Sequence, residues 1–565
     1  MIVSRNLPPL LFFDGAMGTA LQEKTIPQEA WKGLEGCNEI LTLTLPDTLR
    51  AIHRAYLDAG CDAIETNTFG ASPITLSEYG IADRATEINR AAARLARECA
   101  AAAATPDRPR FVFGSVGPGT RLPSLGQTDY NTLHKALSVQ IEALSEGGVD
   151  GLLIETCQDP LQIKAGLGAF ESVWGNRAGT RPILYVSVTV EQTGTLLIGS
   201  SIAAIAAILA PFPIDILGLN CATGPEAMRI HLDALARSWP GRIGCMPNAG
   251  LPVLEGTNVR YPLQPEPFAD AVAGLARELQ LNAVGGCCGT TPAHLRARRE
   301  RLEGWAPTPR GVESAPEQAA SLFLPVDLTQ QPAPLFIGER ANATGSKAFR
   351  EALLREDLDG AFQILIAQEE TGAHVLDLSC AYAGRDELRD MTALVDRAAR
   401  ELRTPLMIDT TQADVLEAAL QRIGGRAIVN SINFEDGEKR ADRVARMARR
   451  FGAAVIGLTI DEQGMAMTAD RKVAIAKRLV TFCGERGLRP GDLLIDPLTF
   501  TLGSGDETLR TAALETIEAI RRIRAELPGV RTLLGLSNIS FGLKPAARRA
   551  LNAVFLDQAL KAGLD

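Results

Sequence analysis

The sequence predicts an α/β protein built from two (β/α)8 barrels of the TIM type in tandem, joined by a proline-rich linker. Its 565 residues exceed what one ordinary core holds, so two large domains are expected. Short apolar, β-branched segments alternate with Ala-, Leu-, Arg- and Glu-rich segments in both halves, which is typical of parallel βα units. Prolines interrupt this alternation once, near the middle of the chain.

The first half, residues 1–304, contains eight strand-like segments, as a complete barrel requires. They end at Gly15, Thr68, Gly117, Thr156, Val190, Asn220, Gly250 and Gly289. In such a barrel the chemistry lies at the carboxyl ends of the strands, so the residues at these ends are the candidates for function.

Residues 305–334 carry six prolines and no periodic apolar face, so we expect a linker through which neither helix nor strand continues. The alternation restarts in residues 335–565, where only seven strand-like segments occur, ending at Arg340, Ser379, Thr410, Ser431, Ile460, Pro497 and Ser540. A barrel closes only when its last strand pairs with its first. We therefore expect the second barrel to lack its last strand here, with that strand following residue 565 or another segment filling its place.

The composition excludes several classes of partner. Apolar residues make up 46% and charged residues 22%, as in ordinary soluble globular proteins. A net charge of -9 with no basic stripe argues against nucleic acid as a partner. The sequence lacks a signal peptide and a run of about 18 apolar residues, so we expect no membrane partner and a cytoplasmic location. Ten cysteines in this length do not form a disulfide scaffold.

Three cysteines occupy the predicted rim of the first barrel. Cys221 directly follows the sixth strand, and Cys287 and Cys288 follow the eighth among glycines that free the backbone to turn. Three protein ligands with one open position are typical of catalytic zinc, which can hold a substrate thiol as a thiolate that attacks a methyl group. Asn248, after the seventh strand, could supply an oxygen while the substrate is absent. The alternative is that these are buried apolar cysteines or a redox-active pair.

The same rim offers groups that suit the zwitterion of an amino acid. Asp14 ends the first strand and precedes a glycine-rich turn, DGAMGT, whose backbone N–H groups can receive a carboxylate. Glu155 ends the fourth strand and suits an ammonium group. Asp-Gly turns are common, so DGAMGT alone would be weak support.

The predicted strand ends of the second barrel carry aspartate and asparagine with few cations. A ring of carboxylate and amide oxygens suits a neutral heterocycle with many N–H donors, such as a pterin. A single Asp at a strand end is more often a helix cap, but several on different strands favour a site. The residues are Asn342, Asp377, Asp409, Asn430, Asp496 and Asn538.

These motifs carry a resemblance to a known family. The first barrel resembles the homocysteine-binding domain of cobalamin-dependent methionine synthases in DGAMGT (14–19), ETNTFGA (65–71), GLNCATGP (218–225), PNAG (247–250) and GGCCGTTP (285–292). The resemblance implies homocysteine as the thiol, with the backbone amides of Ala16 and Met17 binding its carboxylate and Glu155 its amine. It also implies Zn2+ on the three cysteines and Asn248 as a displaceable fourth ligand.

The second barrel is similar to the pterin-binding domain of the same family. The motifs are GERANATGS (338–346), MIDTTQADV (407–415), IVNSIN (428–433), IDP (495–497) and GLSNISFGL (535–543). The resemblance implies 5-methyltetrahydrofolate as methyl donor, held by Asp409, Asn430, Asp496 and Asn538, with Asn538 a catalytic residue near the nitrogen that bears the methyl. One departure is Ser379, where relatives carry asparagine, so no role is assigned to it.

The resemblance implies two methyl transfers, from 5-methyltetrahydrofolate to cob(I)alamin and from methylcobalamin to zinc-bound homocysteine. No D-x-H-x-x-G segment of the kind that supplies a lower cobalt ligand occurs in this sequence. We therefore expect cobalamin to be bound by a domain beyond residue 565 or by a separate corrinoid protein. The alternatives are a cobalamin-independent homocysteine S-methyltransferase, dihydropteroate synthesis by the second barrel, or a noncatalytic thiol- or pterin-binding protein.

Overall fold

The computed structural model describes residues 7–175, 177, 179–255, 258–504 and 506–565. The chain divides into two compact units. One comprises the residues up to Ala206 together with Phe212–Ala315, and the other comprises Ala207–Pro211 and Pro316–Asp565. None of the described helices combines the length and apolar composition needed to cross a membrane.

The first unit is a closed barrel of eight parallel strands. They are β1 (Leu11–Phe12), β2 (Ala63–Glu65), β3 (Phe111–Val116), β4 (Gly151–Cys157), β5 (Ile183–Val188), β6 (Ile216–Asn220), β7 (Arg242–Met246) and β8 (Ala283–Val284). Each strand pairs with its neighbours in sequence, β8 pairs with β1, and a parallel bridge between Phe13 and Ala63 closes the ring.

The interior of this barrel is filled by large side chains from several strands, as expected for a packed core. Phe13 contacts Phe113 and Tyr185, with ring centroids 4.7 and 5.4 Å away. These rings belong to the buried core that the strands enclose, and the polar groups of the rim lie at the end of this core.

Helices surround the strands of the first barrel. They are Met17–Gln22, Gln28–Trp31, Leu41–Thr44, Pro46–Asp58, Pro73–Ser77, Ala85–Ala103, Tyr130–Glu146, Pro160–Trp174, Ile202–Leu209, Pro225–Ser238, Pro265–Leu279 and Pro292–Arg301. Proline at the first helical position recurs because its missing N–H would have no partner there. An antiparallel hairpin of Val253–Glu255 and Asn258–Arg260 follows β7.

The second unit contains seven parallel strands in sequence order. They are β9 (Ile337–Asn342), β10 (Val375–Ser379), β11 (Leu406–Asp409), β12 (Ile428–Ile432), β13 (Ala454–Leu458), β14 (Leu493–Asp496) and β15 (Arg531–Thr532). Asp565 bonds at both edges of this sheet: its carbonyl accepts the Leu335 N–H at 2.7 Å and its carboxylate the Thr532 N–H at 2.9 Å. The predicted α/β architecture, with a seven-stranded second sheet, is confirmed.

The helices of the second unit again follow the strands. They are Lys347–Leu354, Leu358–Glu370, Glu387–Glu401, Ala413–Leu420, Glu438–Phe451, Ala469–Gly484, Ala512–Glu526 and Pro545–Ala562.

Two sequence-based expectations are wrong in detail. Residues 305–334 do contain strands, because Gln318–Ala320 pairs with Pro325–Asp327 and Ala319 packs into the core of the second unit. The seventh strand of that unit ends at Thr532 rather than Ser540, since the chain then turns into a 3-10 helix over Leu536–Ser540. Asn538 therefore lies in a 3-10 turn and not at a strand end.

Candidate functional site

The three predicted zinc ligands converge at the rim of the first barrel. The sulfur atoms of Cys221, Cys287 and Cys288 all lie within 4.8 Å of one another, and those of Cys221 and Cys288 are 3.9 Å apart. Cys221 follows β6 and the adjacent pair follows β8, so the closure of the barrel brings together residues far apart in sequence.

Backbone hydrogen bonds between neighbouring loops hold the three cysteines. The Cys221 N–H donates to the Met246 carbonyl at 3.1 Å, and the Cys287 N–H donates to the Pro247 carbonyl at 2.8 Å. Cys221 has a φ of 63°, a left-handed conformation that is unusual outside glycine and typical of functional sites. The end of β7 and the residue after it thus hold Cys221 on one side and Cys287 on the other.

The donor set fits a zinc ion. Sulfurs bonded to one tetrahedral zinc at about 2.3 Å lie about 3.8 Å apart, close to the observed spacing of Cys221 and Cys288. The N–H of Asn248 donates to the Thr223 carbonyl, and its buried Oδ1 has no hydrogen-bond partner among the described residues. This unpaired oxygen is of the kind that could serve as a displaceable fourth ligand of a zinc ion.

The three thiols also shift one another's pKa values. Hydrogen bonds from Cys221 and Cys287 lower the pKa of Cys288 to about 3, and the Tyr261 hydroxyl contributes in the same direction. The pKa of Cys287 is raised by its side-chain hydrogen bonds with Cys221 and Cys288 and by burial. One thiolate stabilised by two thiols is an arrangement that a divalent cation would complete.

A cavity of about 250 Å³ opens beside the sulfur atoms. Its wall contains all three cysteines, the predicted carboxylate-binding residues Ala16 and Met17, and the carboxyl groups of Glu65 and Glu155. The helix Met17–Gln22 begins at this wall, and its N-cap residue, Ala16, has no side-chain acceptor for the first N–H groups. The cavity therefore combines three thiols, the first turn of a helix and carboxyl groups on one surface.

Glu65 and Glu155 lie in the wall of this cavity, and Asp14 lies next to it, in hydrogen-bond contact with the Glu65 backbone. Burial raises the pKa of Glu155 to about 7, against a lowering by the hydrogen bond that the Ser115 hydroxyl donates to it. Burial also raises the pKa of Glu65 and of Asp14, and the negative charge of Glu155 adds to both shifts. Asp14 Oδ2 accepts the Glu65 N–H at 3.0 Å, and its Oδ1 has no hydrogen-bond partner among the described residues. The ionised forms of these carboxyl groups would attract an ammonium group bound in the cavity.

Sequence reasoning missed Glu65, Ser115 and Asn220 in this cavity. Glu65 opens the ETNTFGA motif at the end of β2, so its position at a strand end was the available signal. Asn220 precedes Cys221 and exchanges hydrogen bonds with Thr156, donating to its hydroxyl at 2.8 Å and accepting its N–H at 3.0 Å. This pair ties the end of β4, which carries Glu155, to the strand that leads into Cys221.

Four of the predicted pterin-binding residues share one cluster in the second unit. Asn342 Nδ2 donates to Asp409 at 3.2 Å, across the ends of β9 and β11. Asp377 lies between them on β10, is 3% exposed, and has an Oδ1 without a hydrogen-bond partner among the described residues. Burial, with the charges of Asp409 and Glu339, raises its pKa well above the usual range, and side-chain hydrogen bonds from Asn342 and Asn430 oppose this shift.

Ser379 and Glu339 belong to this cluster, although sequence reasoning assigned neither a role. Burial raises the pKa of Asp409 to about 6, while the Ser379 hydroxyl lowers it and the Glu339 charge raises it. Ser379 lies opposite Asn342 in the register of β10 with β9. Its hydroxyl therefore reaches a carboxylate of the candidate site even though it is shorter than asparagine.

The remaining two predicted residues lie apart from that hydrogen-bonded group. Asp496 ends β14, and burial raises its pKa to about 6, opposed by the Leu498 N–H and by the charge of Lys472. Asn538 is exposed in its 3-10 turn, where its N–H donates to the Gly535 carbonyl at 3.1 Å.

Comparison with known proteins relates both halves to described families. Residues 11–302 match the family model of homocysteine S-methyltransferase, and residues 338–565 match that of pterin binding enzymes. Methionine synthase from Mycobacterium tuberculosis (strain ATCC 25618 / H37Rv) is 47% identical over 557 residues, or 98% of this chain and 46% of that protein. Methionine synthase from Mycobacterium leprae (strain TN) is 45% identical over 561 residues, with the same coverage.

Among solved structures, the oxidized form of the homocysteine methyltransferase MmuM from Escherichia coli is 22% identical, with a TM-score of 0.41. The match covers 52% of this chain and 96% of that protein. This chain spans about half the length of the curated relatives it matches.

Proposed function

Because this chain belongs to the homocysteine S-methyltransferase family, we propose that it is a methyl-transfer module of a cobalamin-dependent methionine synthase. Its first barrel methylates homocysteine and its second barrel takes the methyl group from 5-methyltetrahydrofolate. The observation that carries the proposal is the cavity whose wall contains three convergent thiols, the start of the helix Met17–Gln22 and buried carboxyl groups.

In the first barrel the cavity binds homocysteine by both ends. Zinc held by Cys221, Cys287 and Cys288 would supply the Lewis acidity that keeps the substrate thiol ionised. The carboxylates of Glu65 and Glu155 receive the substrate ammonium. Two-ended binding fixes the sulfur at the rim, where a methyl donor can approach it.

Methylcobalamin presented by a partner would supply the methyl group to this sulfur, and the corrinoid would keep the electron pair of the cobalt–carbon bond as the leaving group. The backbone amides of Ala16 and Met17 neutralise the substrate carboxylate throughout, which prevents it from competing for zinc.

In the second barrel the Asp and Asn cluster binds the pterin ring. Asp409, Asn430 and Asp496 accept its N–H groups, and Asp377 contributes a further hydrogen bond. Asn342 orients Asp409 through their hydrogen bond. The amine leaving group of 5-methyltetrahydrofolate departs only when N5 is protonated. Asn538 at the rim acts in a hydrogen-bond network that stabilises the protonated transition state rather than as a strong acid.

The corrinoid partner is a cobalamin-binding domain of the same polypeptide or a separate corrinoid protein.

The first test measures zinc content and methyl transfer from methylcobalamin to homocysteine in matched variants. Cys288→Ala should lose most of its zinc and its activity, because two thiol ligands hold the ion far more weakly than three. Cys99→Ala is the control, since Cys99 is buried in the helix Ala85–Ala103, apart from the thiol cluster. A chelator should abolish wild-type activity, and added zinc should restore it.

Full zinc occupancy in single alanine variants of all three cysteines would overturn the assignment of the metal site. Methylation of homocysteine by a methylated sulfonium compound, but not by methylcobalamin, would instead identify a cobalamin-independent methyltransferase. Binding of both ligands without turnover would identify a noncatalytic binding protein.

A further inference from the structure

A fully buried lysine lies beneath the loop that follows β14. Lys472, in the helix Ala469–Gly484, is 0% exposed. Its Nζ donates to the carbonyls of Pro497 and Leu498, the second at 3.2 Å, and lies 4.9 Å from the centroid of the Phe500 ring. Lysine is almost never fully buried without a compensating group, so this ammonium requires an explanation.

The compensating group is Asp496, reached through a single peptide unit. The carbonyl of Pro497 accepts from Lys472, and the N–H of the same peptide, which belongs to Leu498, donates to Asp496 Oδ1 at 2.7 Å. A cation at the carbonyl end of a peptide polarises it and strengthens the bond that its N–H donates. Ammonium, peptide and carboxylate therefore form one hydrogen-bonded chain.

The loop has the conformation that this chain of bonds requires. Leu498 has a φ of 65°, a conformation that costs free energy for a residue with a branched side chain. Its carbonyl accepts from Thr516 Oγ1 at 2.9 Å in addition to Lys472. Two helices thus hold the loop so that the Leu498 N–H points at Asp496.

We propose that Lys472 is a positioning residue of the pterin site, which acts through the Pro497–Leu498 peptide to fix Asp496 as a charged, oriented acceptor for the ligand. This inference rests on the proposed function of the second barrel. Lys472 itself donates to backbone carbonyls of the loop, so its effect on the ligand passes through Asp496.

The charges around the pair define the pH range of the effect. Burial raises the pKa of Asp496 to about 6, and Lys472 opposes that rise. Burial lowers the pKa of Lys472 to about 8, opposed by Asp496 and by Glu515 from the helix Ala512–Glu526. Between these values both groups are charged, and the peptide bridge acts at full strength.

The test compares dissociation constants of 5-methyltetrahydrofolate for the full chain at pH 6.5 and pH 8.5, measured by titration calorimetry. Lys472→Met removes the charge, and Lys472→Gln removes it while retaining N–H donors for the carbonyls. The matched control is Lys477→Met in the same helix, where the side chain is 52% exposed and pairs with Glu526.

Loss of a neighbouring cation typically raises a carboxyl pKa by about one unit or more, so both neutral variants should bind about threefold more weakly than wild type at pH 6.5. At pH 8.5 the Asp496 carboxyl is ionised in wild type and in both neutral variants. The dissociation constant of each neutral variant should therefore be close to that of wild type. Lys472→Arg, which keeps the charge, should retain the wild-type pH profile. In an Asp496→Asn background, Lys472→Met should have no pH-dependent effect.

A loss of affinity that is equal at both pH values, or one that persists in the Asp496→Asn background, would overturn the proposal. So would wild-type binding by Lys472→Gln at pH 6.5. If the neutral variants do not fold, Lys472→Arg decides the matter, because an altered pH profile in that variant would contradict a role of the charge. Failure of the wild-type chain to bind 5-methyltetrahydrofolate would refute the proposed function itself, which is a separate outcome.

Discussion

Replacing Glu155 by glutamine should strongly reduce the pH dependence with which the first barrel binds an amino-acid ammonium group. Burial raises the pKa of this carboxyl to about 7. Only the ionised carboxylate attracts an ammonium group, so binding should strengthen as the pH rises through this value. The ionised fraction is about 9% at pH 6 and about 91% at pH 8, so the affinity should rise about tenfold between them.

Glu155→Gln loses the charge but keeps the shape of the side chain. A hydrogen bond to a charged group contributes about 1.5–3 kcal/mol, so the variant should bind the ligand roughly 10- to 150-fold more weakly at pH 8. Its affinity should then change much less between pH 6 and pH 8 than that of wild type, because Glu65 is the carboxyl group that remains beside the ammonium. Ser115→Ala is the complementary variant: it removes the hydrogen bond that lowers the pKa of Glu155, so the midpoint should move to higher pH.

The assay must separate the ammonium site from ionisation of the thiol. Competition by homoserine, which has the ammonium group but no thiol, isolates the ammonium site. The converse ligand, 4-mercaptobutanoate, lacks the ammonium group and should show no response to Glu155→Gln. Equal pH dependence of homoserine binding in wild type and Glu155→Gln would refute the assignment of Glu155 to the ammonium.

Three further predictions follow from particular contacts. Gly289→Ala should lower the zinc content and should reduce the free energy of unfolding by about 1–3 kcal/mol. The reason is that Gly289 has a φ of 77° and that a Cβ there would lie 2.2 Å from Tyr261. Gly274→Ala, a helical control with open space around it, should instead stabilise by about 0.5–1 kcal/mol in thermal unfolding. Cys287→Ala should abolish homocysteine methylation but leave 5-methyltetrahydrofolate affinity unchanged, and loss of both would indicate one shared site. Asp377→Asn should weaken pterin binding less than Asp409→Asn does, because burial and the charges of Asp409 and Glu339 raise the pKa of Asp377 well above its usual range and so disfavour its anion; a greater loss in Asp377→Asn would show that the anion is needed.

The convergence of the cysteines follows from strand count alone. Once Cys221 is placed after the sixth strand and Cys287 after the eighth, closure of the barrel fixes both at the same rim. Side-chain contacts do not follow in this way, because they depend on how each strand tilts and where it ends. The sequence could place Glu65 at a strand end but could not show that it shares a buried cavity with Glu155.

The two errors in the predicted fold have local physical causes. Pro325 lies in a two-stranded sheet opposite Ala320, where an edge position tolerates a residue without an N–H. Proline content alone therefore could not exclude a strand. The segment before Asn538 alternates like a strand, but β15 pairs only through Arg531 and Thr532 before the chain turns. Its short length reflects tertiary pairing, which overrides local propensity.

Charge state is the property of the candidate sites that sequence reveals least. Asp377 and Asp496 both lie in apolar strands of one sheet, yet their surroundings shift their pKa values differently. Asp377 faces Asp409 and Glu339, which add to the effect of burial and favour the neutral acid. Asp496 is joined by one peptide group to Lys472, which opposes that effect. Lys472 belongs to a helix that precedes β14, so only the fold pairs them. The surroundings thus shift the pKa values of two carboxyl groups in the same sheet to different extents, so each can make a different hydrogen bond to the mixed N–H and carbonyl edge of a pterin.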